Sequence, residues 1–185
     1  LFNAPEPYRE KISYPKGIDR NVIDLDFSLK KNLSNLADSK NKKFESLKIC
    51  ILDRPRHKKI IDEAKSLNIG VKLISDGDVS GALLVTDEKY NIDLFLGTGG
   101  GPEGVIAASA LDTYECGFQG RFIFDTDELK KRASEMGIKD FDKKYELNEI
   151  VKGDSLFCAT GITKGDLVNG LELKNNKMIA NTLIT

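Results

Sequence analysis

The stretch Asn91–Asp112, NIDLFLGTGGGPEGVIAASALD, decides how the rest of the chain is read. Its apolar run Ile92–Leu96 predicts a strand, Gly97, Gly99, Gly100 and Gly101 a tight loop, and the Ala-rich segment after Pro102 a helix. Glycines admit backbone conformations closed to other residues, and Pro102 is pre-set for the first helical turn. The free N–H groups of such a helix end attract anions. Glu103 falls in that first turn, where it can answer the helix dipole or serve as a metal ligand beside a phosphate. A plain strand-to-helix turn carrying a dipole-satisfying Glu103 is the competing reading.

Working outward from this unit, the preceding chain repeats its layout. LKICIL, starting at Leu47, is a short apolar run of the kind buried on both faces of a sheet, and it ends at Asp53-Arg54-Pro55-Arg56-His57. Helical spacing follows at Ile60, Ile61, Ala64 and Leu67, with a stop at Gly70. VKLIS is the next strand and leads to Asp76-Gly77-Asp78, followed by a short helix. Strands and helices alternating over short connections predict an α/β fold with a largely parallel sheet and right-handed crossovers. Ligands of such sheets bind beyond the carboxyl ends of the strands. Three successive strands therefore deliver RPRH, DGD and GTGGGPE to one sheet edge.

Each delivered loop has a chemistry. Arg54 and Arg56 flank a proline that stiffens their loop, and guanidinium forks match phosphate oxygens. Asp76 and Asp78 straddle Gly77, so a sugar hydroxyl, an arginine or a divalent cation has to satisfy them, unless they form a turn that caps the helix at Val79. His57 is the single histidine of the chain and cannot build a His-based metal site. Phosphate-binding arginines beside hydroxyl- or metal-binding carboxylates describe a site for a phosphorylated polyol.

The flanks are simpler. Residues 1–20 carry three prolines and predict an extended loop or arm, in which Tyr8 is an aromatic hydroxyl that packs or binds. Residues 21–46 predict a strand over Val22–Phe27 turning into a helix with Leu29, Leu33 and Leu36 on one face. Segments 1–46 thus read as arm plus linking strand and helix, and 47–185 as one α/β substrate-binding domain. Toward the carboxyl end, RFIF reads as a strand, DELKKRASEMG as a helix capped by Asp125 or Thr126 and stopped at Gly137, and SLFCATG as a buried strand.

Composition bounds the function. The 185 residues suffice for one core, and a net charge of −1 predicts neither a nucleic-acid nor a membrane partner. Three well-separated cysteines, Cys50, Cys116 and Cys158, suit buried thiols in a reducing, cytoplasmic setting. Both ends of the chain read as cut from something longer.

ILDRPRHKKIIDE, VKLISDGDVSGAL, GTGGGPEGVIAASAL, the FQGRF segment and ATGITKGDL together resemble the class II fructose-1,6-bisphosphatases of the GlpX type, some of which act on sedoheptulose 1,7-bisphosphate. The resemblance runs from LFNAPEPYREK to the last strand. It implies hydrolysis of the 1-phosphate of fructose 1,6-bisphosphate in gluconeogenesis, dependent on Mn²⁺ or Mg²⁺, in the layered α/β architecture of the inositol phosphatases. Carried over by position, it implies that Tyr8, Arg54, Pro55, Arg56, Asp76, Gly77, Asp78 and Gly100 contact substrate and that Glu103 ligates metal. ATGITKGDL matches without an assignable role. Members of the family are nearly twice this length, and their amino-terminal half holds the other acidic metal ligands and a DGTT-like segment. No catalytic residue is assigned to this portion, which the resemblance makes a substrate-binding half, inactive alone and prone to self-association. A non-catalytic sugar-phosphate-binding module is the alternative. A dinucleotide-binding fold fits poorly, because the glycine loop follows the third strand of the unit instead of opening it.

Overall fold

The fold, known from a computed structural model, is described for residues 8–185. In chain order its elements are β1 (Tyr8–Tyr14), α1 (Leu29–Ser39), β2 (Lys48–Leu52), α2 (Lys58–Ser66), β3 (Gly70–Ile74), α3 (Asp78–Leu83), β4 (Leu94–Gly100) and α4 (Gly101–Asp112). They continue with β5 (Gly117–Phe122), α5 (Asp127–Glu135), β6 (Lys144–Glu146), α6 (Leu147–Ile150), β7 (Cys158–Thr160), β8 (Glu172–Lys174), β9 (Lys177–Ile179) and β10 (Thr182–Ile184). One six-stranded sheet runs β3-β2-β4-β1-β5-β6.

The α/β expectation holds. Strand β2 pairs in parallel with both β3 and β4, while β1 is antiparallel to β4 and β5, and β6 is antiparallel to β5. Four strands, β2 to β5, therefore point the same way and two run against them. In β2 the residues Ile49, Cys50, Ile51 and Leu52 are all buried, as a strand covered on both faces requires. Its alternate residues feed two cores. Cys50, Phe95 and Phe118 meet the buried faces of α3 and α4, whereas Ile49, Leu94, Ile12 and Tyr14 meet Leu33 and Leu36 of α1 and Ala64 of α2. Helix α4 is buried through Gly104, Ala107, Ala108, Ala110 and Leu111. Helix α5 starts at the Thr126 cap, whose side chain accepts from Leu129 N–H, and stops before Gly137 at φ 89°.

Three expectations for the flanks change. The extended loop expected over residues 1–20 is, from Tyr8 to Tyr14, a strand in the middle of the sheet; the LFNAPEP segment lies outside the described residues. Its signal was hidden because the residues it buries include Arg9 and Lys11, which no apolar alternation announces. The strand expected over Val22–Phe27 is a chain of turns. Side-chain amides hold it in place of a neighbouring strand: Asp24 N–H donates to Asn32 Oδ1 at 2.9 Å, Asn32 Nδ2 to Asp24 O at 2.8 Å and Asn35 Nδ2 to Val22 O at 2.6 Å. The buried strand expected in SLFCATG is the short, exposed β7, paired only with β10, and Cys158 is exposed while Cys50 and Cys116 are buried.

Candidate functional site

Strand β2 ends at Leu52, and a single 3-10 turn, Pro55–His57, leads into α2. His57 is buried and clamps this turn to β4. Its Nε2 accepts from Thr98 N–H at 2.8 Å, so its proton sits on Nδ1, which donates to Leu52 O at 2.8 Å. Burial pushes its pKa below the ordinary value, against the bond to Leu52. Arg56 is tied to the same strand, with Nε donating to Thr98 O at 2.8 Å and the guanidinium 5.2 Å from the centre of the Tyr8 ring. Pro55 occupies the start of the turn between the two arginines.

After β3, Gly77 adopts φ 93°, a left-handed conformation that costs a side-chain-bearing residue strain, and Asp78 opens α3. Neither aspartate caps that helix by a side-chain bond. The Asp78 carboxylate turns toward β4 and β1: a Cβ on Gly99 would come within 1.8 Å of its Oδ2, and that same oxygen is hydrogen-bonded and ion-paired to Lys11 Nζ. Asp76 stays in solvent, 94% exposed, with Arg54 Nη2 at 4.0 Å. The two carboxylates thus have separate partners, Asp78 a buried lysine and the exposed Asp76 a loose arginine contact.

The tight loop expected over Gly97, Gly99, Gly100 and Gly101 is absent: the first three end β4 and Gly101 opens α4, and Gly99 and Gly100 serve close approach of side chains instead of a turn. The Glu103 side chain folds back over the junction, so that a Cβ on Gly100 would meet its Oε2 at 2.0 Å. Consecutive glycines therefore let two carboxylates, Asp78 and Glu103, lie against the end of β4. Tyr8, at the start of the reversed strand β1, stands opposite Gly100 and brings its ring to the same edge.

These elements surround one cavity of about 280 Å³. Tyr8, Arg54, Arg56, Asp76, Gly77, Asp78, Gly100 and Glu103 all line it, together with Leu52, Val79 and Gly99; of the residues singled out from the sequence, Pro55 alone does not. Lys11 and His57 were missed as parts of this arrangement. Lys11 is legible only once Arg9, Lys11 and Ser13 are seen as one face of a strand, and the role of His57 lies in two backbone partners far apart in sequence. Among the described residues no group of three or more His, Cys, Asp or Glu side chains is placed to hold a metal ion. ATGITKGDL docks beside β3, where Lys72 Nζ meets Asp166 Oδ1 at 2.8 Å, and Gly165 N–H and Leu171 N–H close its turns on Val168 O and Ile162 O.

A family model described as bacterial fructose-1,6-bisphosphatase, glpX-encoded, matches residues 1–185. The chain belongs to this family. Curated relatives named D-fructose 1,6-bisphosphatase class 2/sedoheptulose 1,7-bisphosphatase agree with that placement. The one from a Synechocystis species is 36% identical over 197 residues, covering 100% of this chain and 57% of the relative. That of Trichodesmium erythraeum is 36% identical with the same coverage. That of Microcystis aeruginosa is 38% identical over 184 residues, covering 92% of this chain and 53% of the relative. The glpX-type chain described here thus spans little more than half the length of these relatives. No helix among the described residues is long and apolar enough to cross a membrane.

Proposed function

We propose that this chain is the substrate-binding portion of a metal-dependent sugar bisphosphatase. The observation that carries the proposal is the single cavity at the ends of β2, β3 and β4, where two guanidiniums face two aspartates and a helix-leading glutamate. Arg54 and Arg56 take a phosphate, with Arg56 aimed by its bond to Thr98 O and by the Tyr8 ring. Asp76 and Asp78 accept from sugar hydroxyl groups. The reaction is hydrolysis of the 1-phosphate of fructose 1,6-bisphosphate, or the equivalent ester of sedoheptulose 1,7-bisphosphate: water adds to phosphorus, the bond to the ester oxygen breaks, and sugar monophosphate and inorganic phosphate leave.

Glu103 supplies one carboxylate toward Mn²⁺ or Mg²⁺. When bound, such an ion neutralises charge on the phosphoryl oxygens and lowers the pKa of water. We assign the remaining ligands to the part of the relatives that this chain does not span; among the described residues Glu103 stands without two further ligand side chains beside it. The architecture we assign to the whole is the layered sandwich of the inositol phosphatases, in the cytoplasm, with self-association through the surfaces that this portion leaves open.

The test is a calorimetric titration of the chain with fructose 6-phosphate and with inorganic phosphate. Replacing Arg56 with Ala is expected to weaken both by about tenfold or more, as the loss of a charged phosphate contact implies. Unchanged affinity for both ligands in that variant would refute the assignment.

A further inference from the structure

Two cations lie beneath the candidate site instead of on its rim. Strand β1 turns Arg9, Lys11 and Ser13 toward α3 and α4: Ser13 Oγ donates to Ala82 O at 3.0 Å, and a Cβ on Gly104 would come 3.1 Å from Arg9 Cδ and 3.4 Å from Lys11 Cε. Lys11 is 1% exposed. A buried ammonium is costly unless a counter-charge meets it, and Asp78 meets this one. Burial still pulls the Lys11 pKa below the ordinary value, with the bond to Asp78 and the charge of Glu103 opposing it.

The partner of Lys11 is a residue of the cavity wall. Asp78 presents a side chain 9% exposed, its Oδ2 is taken by Lys11, and among the described residues no donor reaches Oδ1. Gly99 leaves the carboxylate just enough room against β4. We infer that Lys11 is the positioning residue of the site: by holding Asp78 through Oδ2, it presents Oδ1 to a hydroxyl group of a bound polyol phosphate. Lys11 lies behind Asp78, and the phosphate is left to Arg54 and Arg56. The inference rests on the sugar-phosphate reading above and adds to it which oxygen is offered and what aims it.

The two ligands of the titration separate these claims. Lys11→Met, which keeps chain length and removes the buried charge, is expected to weaken fructose 6-phosphate by about tenfold while changing inorganic phosphate by less than about twofold, since only the hydroxyl contact is disturbed. Asp78→Asn is expected to match it, and the double variant to be no weaker than either single one. Lys11→Gln, which keeps an N–H donor, should recover part of the loss, and it replaces Lys11→Met if circular dichroism shows the latter unfolded. Unchanged fructose 6-phosphate affinity in Lys11→Met overturns the inference, as does an equal loss for both ligands or an additive double variant. Failure of the unsubstituted chain to bind either ligand would instead remove the sugar-phosphate reading itself, and the role of Lys11 with it.

Discussion

Protonating His57 would set an Nε2–H against the Thr98 N–H that it now accepts from, so the clamp between the arginine turn and β4 works only with neutral imidazole. Burial holds its folded pKa below 6.5, with Arg56 pushing the same way and Asp78 and the two backbone bonds opposing. The sign follows: the stability His57 contributes is full above its unfolded value and is lost as pH falls through the lowered folded value. We expect the melting temperature to drop, as pH falls below the unfolded value of 6.5, more steeply in the natural chain than in His57→Gln. Parallel melting curves for the two across that range would show that His57 is no such clamp. Arg9 is the unexplained counterpart. It is 4% exposed, its Nε and Nη1 have no partner among the described residues, its guanidinium lies 4.1 Å from the Phe122 ring centre, and burial lowers its pKa to about 10.

At the scale of elements, the junction of β4 and α4 concentrates the constraints. Gly99 and Gly100 are needed because carboxylates from elsewhere occupy the space of their missing side chains, and α4 can start at once because Pro102 needs no N–H partner there. Gly99→Ala should displace Asp78 and strain its pairing with Lys11, costing about 1–3 kcal/mol, the range for forcing extra atoms into a packed site. Urea unfolding measures this, and a stability within error of the unsubstituted chain would show that Asp78 swings aside freely. The Pro55 turn and the Gly77 bend were legible because each is a backbone demand that local sequence must meet, and the glycines of β4 were legible as a close approach though not as strand. Strand β1 was not, because its pairing with β4 and β5 draws on residues about eighty to a hundred and ten positions away, and charged side chains that pair in the interior look like solvent-facing ones in sequence.

At the scale of the whole molecule, the exposed apolar side chains gather at the carboxyl end, with Leu156, Leu173 and Met178 each at least 75% exposed. Surfaces of this kind favour association. The chain matches relatives nearly twice its length, and turnover is predicted to need what they add. Alone, the chain should release no phosphate from fructose 1,6-bisphosphate in Mn²⁺. Mixed with the remaining portion of a relative, it should do so, and Glu103→Gln should abolish the gain. Phosphate release by the isolated chain would show that Glu103 and its neighbours suffice. The sequence alone determined the α/β class, the three segments sent to one sheet edge, and the charged residues that line the cavity, because glycine, proline and charge at a strand end act within a few residues, while Tyr8 and Gly100 were singled out through the family resemblance. Only the tertiary structure decided that a reversed strand stands between β4 and β5, and that its lysine and the imidazole of His57 hold the loops in place. Those roles depend on partners about forty to seventy positions away, brought near by strand pairing and by the packing of α3 on the sheet.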